Sequence, residues 1–227
     1  MRIVFHSKLD EFADHLARFC EIDGRLLERA TTALLESDEV AAREVLDGEA
    51  DLRELREACE QLAFEMLLLE APVAGDLRQV VSGIYIVEHF NRMAALAAHV
   101  ARLARLRHPR AVVPEPLVPV IREMADHDAA LATRLRQVLA EQNVDLGLSM
   151  HGADDAVDTL HSGLMRRLSS EDWPHGSVAA VDLALLARYY ERFGDHTVSV
   201  ANRIVYLATG RKPADGVLEP EDGGIVD

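Results

Sequence analysis

The sequence predicts an all-α protein made of two repeated antiparallel three-helix bundles, six long helices in all. Three observations carry this. Apolar residues recur at helical spacing through nearly the whole chain, which puts them on one face of each helix. Proline and glycine fall between these runs as punctuation. The second half then repeats the order of runs and breaks found in the first. Composition agrees: apolar residues make up 49%, with Ala and Leu dominant, and aromatics only 5%. Such unbranched side chains lose little rotamer freedom in a helix.

Taken in order, Phe5, Leu9, Phe12, Leu16, Phe19, Leu26, Leu27, Ala30 and Leu34 set the stripe of a first helix over residues 5–35. Asp23-Gly24 inside it costs propensity without ending it. Ser37-Asp38 supplies N-cap chemistry for a second helix over 39–70. Pro72 fits the first turn of a third helix, where its missing N–H is harmless, and that helix runs to about residue 107. Four prolines between 109 and 119 mark a connection. A fourth helix follows over about 116–140, a break at Asn143, a fifth to about 169 and a loop at Ser170–Gly176. The sixth ends at Gly210, a good C′ residue ahead of Pro213. The predicted organisation is a first repeat over 1–107, a linker over 108–115, a second repeat over 116–210 and a disordered acidic tail over 211–227. Asp38, Asp47 and Asp51 match Asp145, Asp154 and Asp158 at one offset of 107 residues, supporting a true internal repeat.

Charge narrows the function. The formal net charge is −15, divided as −7 over 1–107 and −8 over 108–227, which excludes nucleic acid as the main partner. Arginine accounts for nearly all the basic residues; the lysines are Lys8 and Lys212 alone. Cys20 and Cys59 both fall in helical patterns and read as reduced thiols of a cytosolic protein. The N-terminus lacks a basic region followed by a long apolar run, so no signal peptide is expected. No run of 18 apolar residues exists, so no membrane insertion is expected.

The chemistry worth weighing lies in Asp47-x-x-x-Asp51, Asp154-x-x-x-Asp158 and Glu191-x-x-x-Asp195. Residues four apart share a helix face, and two carboxylates there repel unless a hard cation or a basic partner neutralises them. His161 and His196 stand close in sequence as borderline ligands. Solvated faces of acidic helices would look the same. His127-Asp128 reads as a helix surface pair. There is no Gly-rich phosphate loop, C-x-x-C, H-E-x-x-H or G-x-S-x-G, and a di-iron carboxylate site would need two Glu-x-x-His motifs. Catalysis is not supported.

Two segments carry a resemblance: Ala71-Pro-Val-Ala-Gly-Asp-Leu-Arg78 and Glu191-Arg-Phe-Gly-Asp-His196. They resemble the P-x-A-x-D-L-R and E-R-x-G-D-H motifs of the PhoU family, regulators of bacterial phosphate uptake, and the likeness extends over about residues 5–210. It marks Pro72, Asp76, Leu77, Arg78, Arg192, Gly194 and His196 as motif residues. The resemblance implies two three-helix bundles, a cytoplasmic homodimer, and acidic pairs that hold a divalent or ferric ion such as iron, zinc or magnesium. It also implies a non-enzymatic role at the inner face of the membrane, held there by protein partners. Those partners are a phosphate transporter ATPase and a sensor histidine kinase, and the phosphate-starvation response is restrained when phosphate is plentiful. The alternative is a metal-storage protein or metal-dependent enzyme using the same acidic pairs.

Several positions depart from the family pattern. Arg92 stands where repeat one should offer an acid, giving Glu88-His-Phe-Asn-Arg92; it cannot ligate a cation and should pair with Glu88. Ser199-Val-Ala-Asn202 lacks one further acid, and Ala179 falls where Asp76 would repeat. The favoured metal set is therefore Asp154, Asp158, Glu191 and Asp195, with Asp47, Asp51 and Glu88 a degenerate counterpart. Asp76 is expected to serve the helix N-terminus, and Arg78 to bridge to an acid on a neighbouring helix.

Overall fold

A computed structural model describes residues 2–214 and 217–218. The helices are α1 (Arg2–Glu36), α2 (Glu39–Asp47), α3 (Glu49–Glu70), α4 (Ala74–Arg107), α5 (Val118–Glu141), α6 (Val144–Leu148), α7 (Asp155–Leu168) and α8 (Gly176–Thr209), with a 3-10 turn at Glu115–Leu117. The all-α class is as the sequence predicts, but among the described residues eight α-helices replace the expected six.

Both additional breaks have local causes. The expected 39–70 helix divides at Gly48, whose N–H bonds back to Glu44 while Leu52 N–H bonds to its carbonyl. Glycine in a helix interior is about 1 kcal/mol less favourable than alanine, which makes this the weakest point of the run. The expected 144–169 helix breaks after Leu148, and Gly152 at φ +68° takes a left-handed conformation that other residues rarely adopt. Asp38 and Asn143 cap α2 and α6, their side chains accepting from the N–H of Ala41 and Leu146 at 3.0 Å each. Pro72 stands just before the α4 N-cap, Val73, not inside the first turn. The expected disordered tail is partly wrong: Pro213–Ala214 pairs antiparallel with Val217–Leu218. Residues 215–216 and 219–227 lie outside the described residues.

Four long helices form the centre. α1 packs on α4, α4 on α8, α8 on α5 and α5 on α1, closing a four-helix ring. α2 and α3 cover the α1–α4 side, and α6 and α7 cover α8 and α5. Each half thus keeps its bundle, and the two bundles share one continuous apolar core. Phe19 and Phe90 stack at a 5.9 Å centroid separation inside it. The Tyr190 and Thr31 hydroxyls meet at 2.9 Å and join the halves. Cys20 and Cys59 are free and buried; burial pushes both thiols up to about 12, so neither is a ready nucleophile.

The shared core gives a direct test of stability. Phe90, fully buried on α4, should cost about 3–5 kcal/mol when replaced by Ala. Leu106→Ala, at a position 70% exposed, should cost less than about 0.5 kcal/mol. Urea denaturation of the two variants measures both.

Candidate functional site: a carboxylate cluster on α7 and α8

α8 carries Glu191 and Asp195 one turn apart, and α7 lays Asp158 against them. One carboxylate oxygen from each lies within 4.8 Å of the other two. Asp158 is exposed and Asp195 half-buried, while Glu191 is 9% exposed. Glu191 Oε1 accepts from Arg188 on the preceding turn, and its Oε2 is buried with no partner. Burial raises the Glu191 carboxyl, and the Asp195 charge raises it further, against Arg188 and His161 pulling it down. Burial and then the Asp158 charge raise Asp195, against the Arg188 and Arg192 guanidiniums. The arrangement is a negatively charged recess of hard oxygen donors whose repulsion nothing among the described residues fully offsets.

Asp154 departs from the expected four-carboxylate set. It is the N-cap of α7, and its Cβ would lie 3.5 Å from a Cβ placed on Gly194. It flanks the cluster of three without joining it. Burial leads the upward displacement of its carboxyl, with Asp158 and Asp195 adding to it.

Gly194 earns its place by close approach, since a Cβ there would also come 3.1 Å from Asp128 Oδ1. Asp128 corrects the surface-pair reading of His127-Asp128. It is fully buried on α5, and neither carboxylate oxygen has a partner. Burial, followed by the charges of Asp154, Asp195 and Glu191, raises it well above the usual carboxylate range. Asp23 on α1 is buried and unpartnered in the same way. Counted back from the helix ends at Glu36 and Glu141, Asp23 and Asp128 stand at the same register, so both halves bury an acid at equivalent positions. The signal was present in the sequence: Ile121, Met124, Ala125, Asp128, Leu131 and Leu135 form one stripe with the acid at a core position.

Among the described residues the first half brings no such group together. Asp47 ends α2 and Asp51 lies in the first turn of α3, both exposed. Asp51 instead lines a cleft with Arg18, Arg25 and Arg29. Glu88 pairs with Arg92 at 2.9 Å.

The motif residues separate into two places. Arg192 and Gly194 border the cluster. His196 turns to the other side of α8, where its Nδ1 meets His89 Nδ1 at 3.1 Å. Burial, then His89 and the nearby arginines, lowers the His196 imidazole to about 4. Asp76 lies in the first turn of α4 and Leu77 is exposed beside it. Among the described residues Arg78 bridges to no acid: its guanidinium lies over Tyr206 at 5.9 Å, with Nε buried and unpartnered.

Folding raises the carboxyl pKa values of Asp154, Glu191 and Asp195 above their ordinary values of 3.8 and 4.5. The folded chain then keeps protons that the unfolded chain has released, so metal-free stability falls as pH rises from about 4 toward neutrality. Asp195→Asn should therefore raise the melting temperature of metal-free protein at pH 7, with the gain fading below about pH 4. Melting curves across pH check this, and a difference independent of pH would contradict it.

Comparison with known proteins agrees with the fold. The family model for the PhoU domain matches residues 9–104 and 121–204. A phosphate-specific transport system accessory protein, PhoU homolog 2 of Mycobacterium tuberculosis, is 41% identical over 213 residues, covering 94% of this chain and 100% of that one. PhoU homolog 1 of Mycobacterium leprae is 40% identical over 218 residues, covering 96% and 98%. The crystal structure of PhoU from Pseudomonas aeruginosa matches with a TM-score of 0.81 at 23% identity, covering 91% of this chain and 99% of that one. PhoU from Streptococcus pneumoniae, described as a phosphate transport system regulatory protein, gives 0.81 at 19% identity, covering 92% and 99%. The two structures speak for the fold alone; the match of both halves and the mycobacterial relatives go further. The chain belongs to the PhoU family.

Proposed function

We propose that this chain is a non-enzymatic accessory protein of phosphate transport that couples the ATPase of a phosphate ABC transporter to a sensor histidine kinase. In this reading it acts as a homodimer at the inner face of the membrane and restrains the starvation response when phosphate is plentiful. The observation that carries it is the PhoU match over both halves, together with relatives about 40% identical that are named as transport accessory proteins. The surface supports contact with proteins. The last turns of α3 expose Phe64, Leu68 and Leu69, the connection exposes Val73, and α4 continues with Leu77 and Ile84. Such an apolar face fits a protein partner. No described helix is long and apolar enough to cross a membrane, and the −15 charge is repelled by anionic lipid.

A metal ion fits the second half. Three carboxylates in mutual reach and the orphaned, buried Glu191 Oε2 suit a hard divalent or ferric cation. Asp158, Glu191 and Asp195 would hold it, and its charge would relieve their repulsion and tie α7 to α8. In the first half Arg92 supplies positive charge to Glu88 internally, so that half needs no ion.

Two measurements test these readings. Deleting the gene should switch on a phosphate-starvation reporter in rich phosphate, and the intact chain should silence it again. The double variant Leu69→Glu, Val73→Glu, still folded by its melting curve, should fail to do so. A reporter that stays silent in the deletion strain would sink the adaptor reading. Elemental analysis of purified protein should find metal lost in Asp195→Ala and retained in Asp51→Ala, and equal loss from both would refute the single-site assignment.

A further inference from the structure

A second site lies at the C-terminal end of α8, about two turns beyond the carboxylates. The first turns of α4 and the last turns of α8 enclose a cleft of about 510 Å³, whose charged lining residues are Arg78, Arg203 and Lys212. No acid lines it. Three positive charges thus share one recess in a chain of net charge −15. Among the described residues, none of the three forms an ion pair, although arginines elsewhere repeatedly do: Arg29, Arg43, Arg56, Arg92, Arg102 and Arg107 each meet a carboxylate.

The guanidiniums are held by packing, which leaves their charge uncompensated. Arg203 lies 4.5 Å from the centroid of the Tyr85 ring and 5.9 Å from that of Tyr206, and Arg78 meets Tyr206 at 5.9 Å. Aromatic faces orient a cation without neutralising it. Gly210, the left-handed C-cap of α8 at φ +74°, leaves the space that Arg78 occupies; a Cβ there would fall 2.8 Å from Arg78 Nη1. The C-terminal dipole of α8 offsets about half a charge at most, against three. At the rim, α4 begins without a side-chain cap on Val73, and Asp76 in its first turn sets a negative charge against the helix dipole.

We propose that this cleft binds a phosphate-class oxyanion, either inorganic phosphate or a phosphate monoester. The charge count selects the class. A single carboxylate would neutralise one of three cations, whereas a phosphate dianion presents several acceptor oxygens to two planar guanidinium forks and one ammonium. The buried Arg78 Nε is a donor with no partner of its own. Leu77 and Val81 line the cleft and are exposed beside the apolar face of α3 and α4, so a bound anion changes the charge presented next to that face. The site stands on the cleft alone and does not depend on the adaptor reading.

Isothermal titration of the full chain, freed of metal by chelation, tests it with inorganic phosphate and phenyl phosphate as separate titrants and acetate as the control anion. Saturable binding of at least one phosphate species is expected, with acetate giving none. Binding of phosphate alone would identify the free ion as the ligand, and of phenyl phosphate alone a monoester. Arg78→Gln and Arg203→Gln should each weaken binding at least tenfold while keeping the wild-type melting curve, and Arg78→Lys should recover part of the loss. Arg92→Gln, outside the cleft, should bind as the wild type does. Absence of binding by either titrant, equal binding of acetate, or equal weakening by Arg92→Gln would overturn the proposal. Since the readout is a titration of purified protein, it can fail while the reporter assay succeeds, and the reverse.

Discussion

The antiparallel seam between α4 and α8 is the constraint on which both sites depend. Each helix has 34 residues, about 51 Å at 1.5 Å per residue. Their contacts hold one register from end to end. Arg107 pairs bidentately with Asp182 at 2.7 and 3.0 Å, His99 stacks on Tyr189, and His89 meets His196. Arg203 then covers Tyr85, and Arg78 reaches Tyr206 and Gly210. Moving either helix by one turn would break all of these together. The polar contacts thus specify a register that the small side chains between them, such as Ala94, Ala97, Ala101 and Ala201, leave weakly determined.

The same seam explains how two halves of one plan come to differ. At equivalent positions of α4 and α8, the sequence offers Glu88 with Arg92 and Glu191 with Asp195. The first pair closes on itself at 2.9 Å on the surface. The second leaves two carboxylates facing Asp158 from α7, with Asp128 buried beneath Gly194. A single exchange of sign thereby separates a self-neutralised surface from a recess that calls for a cation. Asp23 and Asp128 do not follow this division, since both halves bury them without partners.

The helices were legible because their apolar stripes are long and their stops are glycine and proline. The exceptions are informative. Gly48 ends α2 because its effect depends on the neighbouring turn, and Asp23-Gly24, with the same residue type, leaves α1 intact. α1 runs unbroken from Arg2 to Glu36 packed on α4 and α5, and sequence alone does not reveal this packing. The carboxylates of α8 were legible from their four-residue spacing. Asp154 was misplaced because the turn at 149–154 sets where it sits against α8. Asp128 is a different case: its residue type suggests the surface, but its place in the apolar stripe of α5 marks it as buried. The cationic cleft had no signal of this kind, since Arg78 and Lys212 are 134 residues apart and only the antiparallel seam joins them.

Charge, finally, is sorted along α8. The acids Glu191 and Asp195 stand near its middle and Arg203 lies two turns further on, with Lys212 just beyond the C-cap. Asp195 and Arg203 are eight residues apart, about 12 Å along the axis. At the effective dielectric of about 20 that holds near a protein surface, two unit charges at that distance interact by about 1.4 kcal/mol, and physiological salt with a Debye length of about 8 Å reduces this. The cation and anion sites are therefore only modestly coupled electrostatically despite sharing a helix. Stronger communication between them has to be mechanical. The elements able to carry it are the buried faces of α8, which has 15 buried residues in contact with α4, α5, α6 and α7. A helix clamped on so many sides shifts as a unit or not at all, and the His89–His196 contact lies between the two sites where such a shift would be felt first.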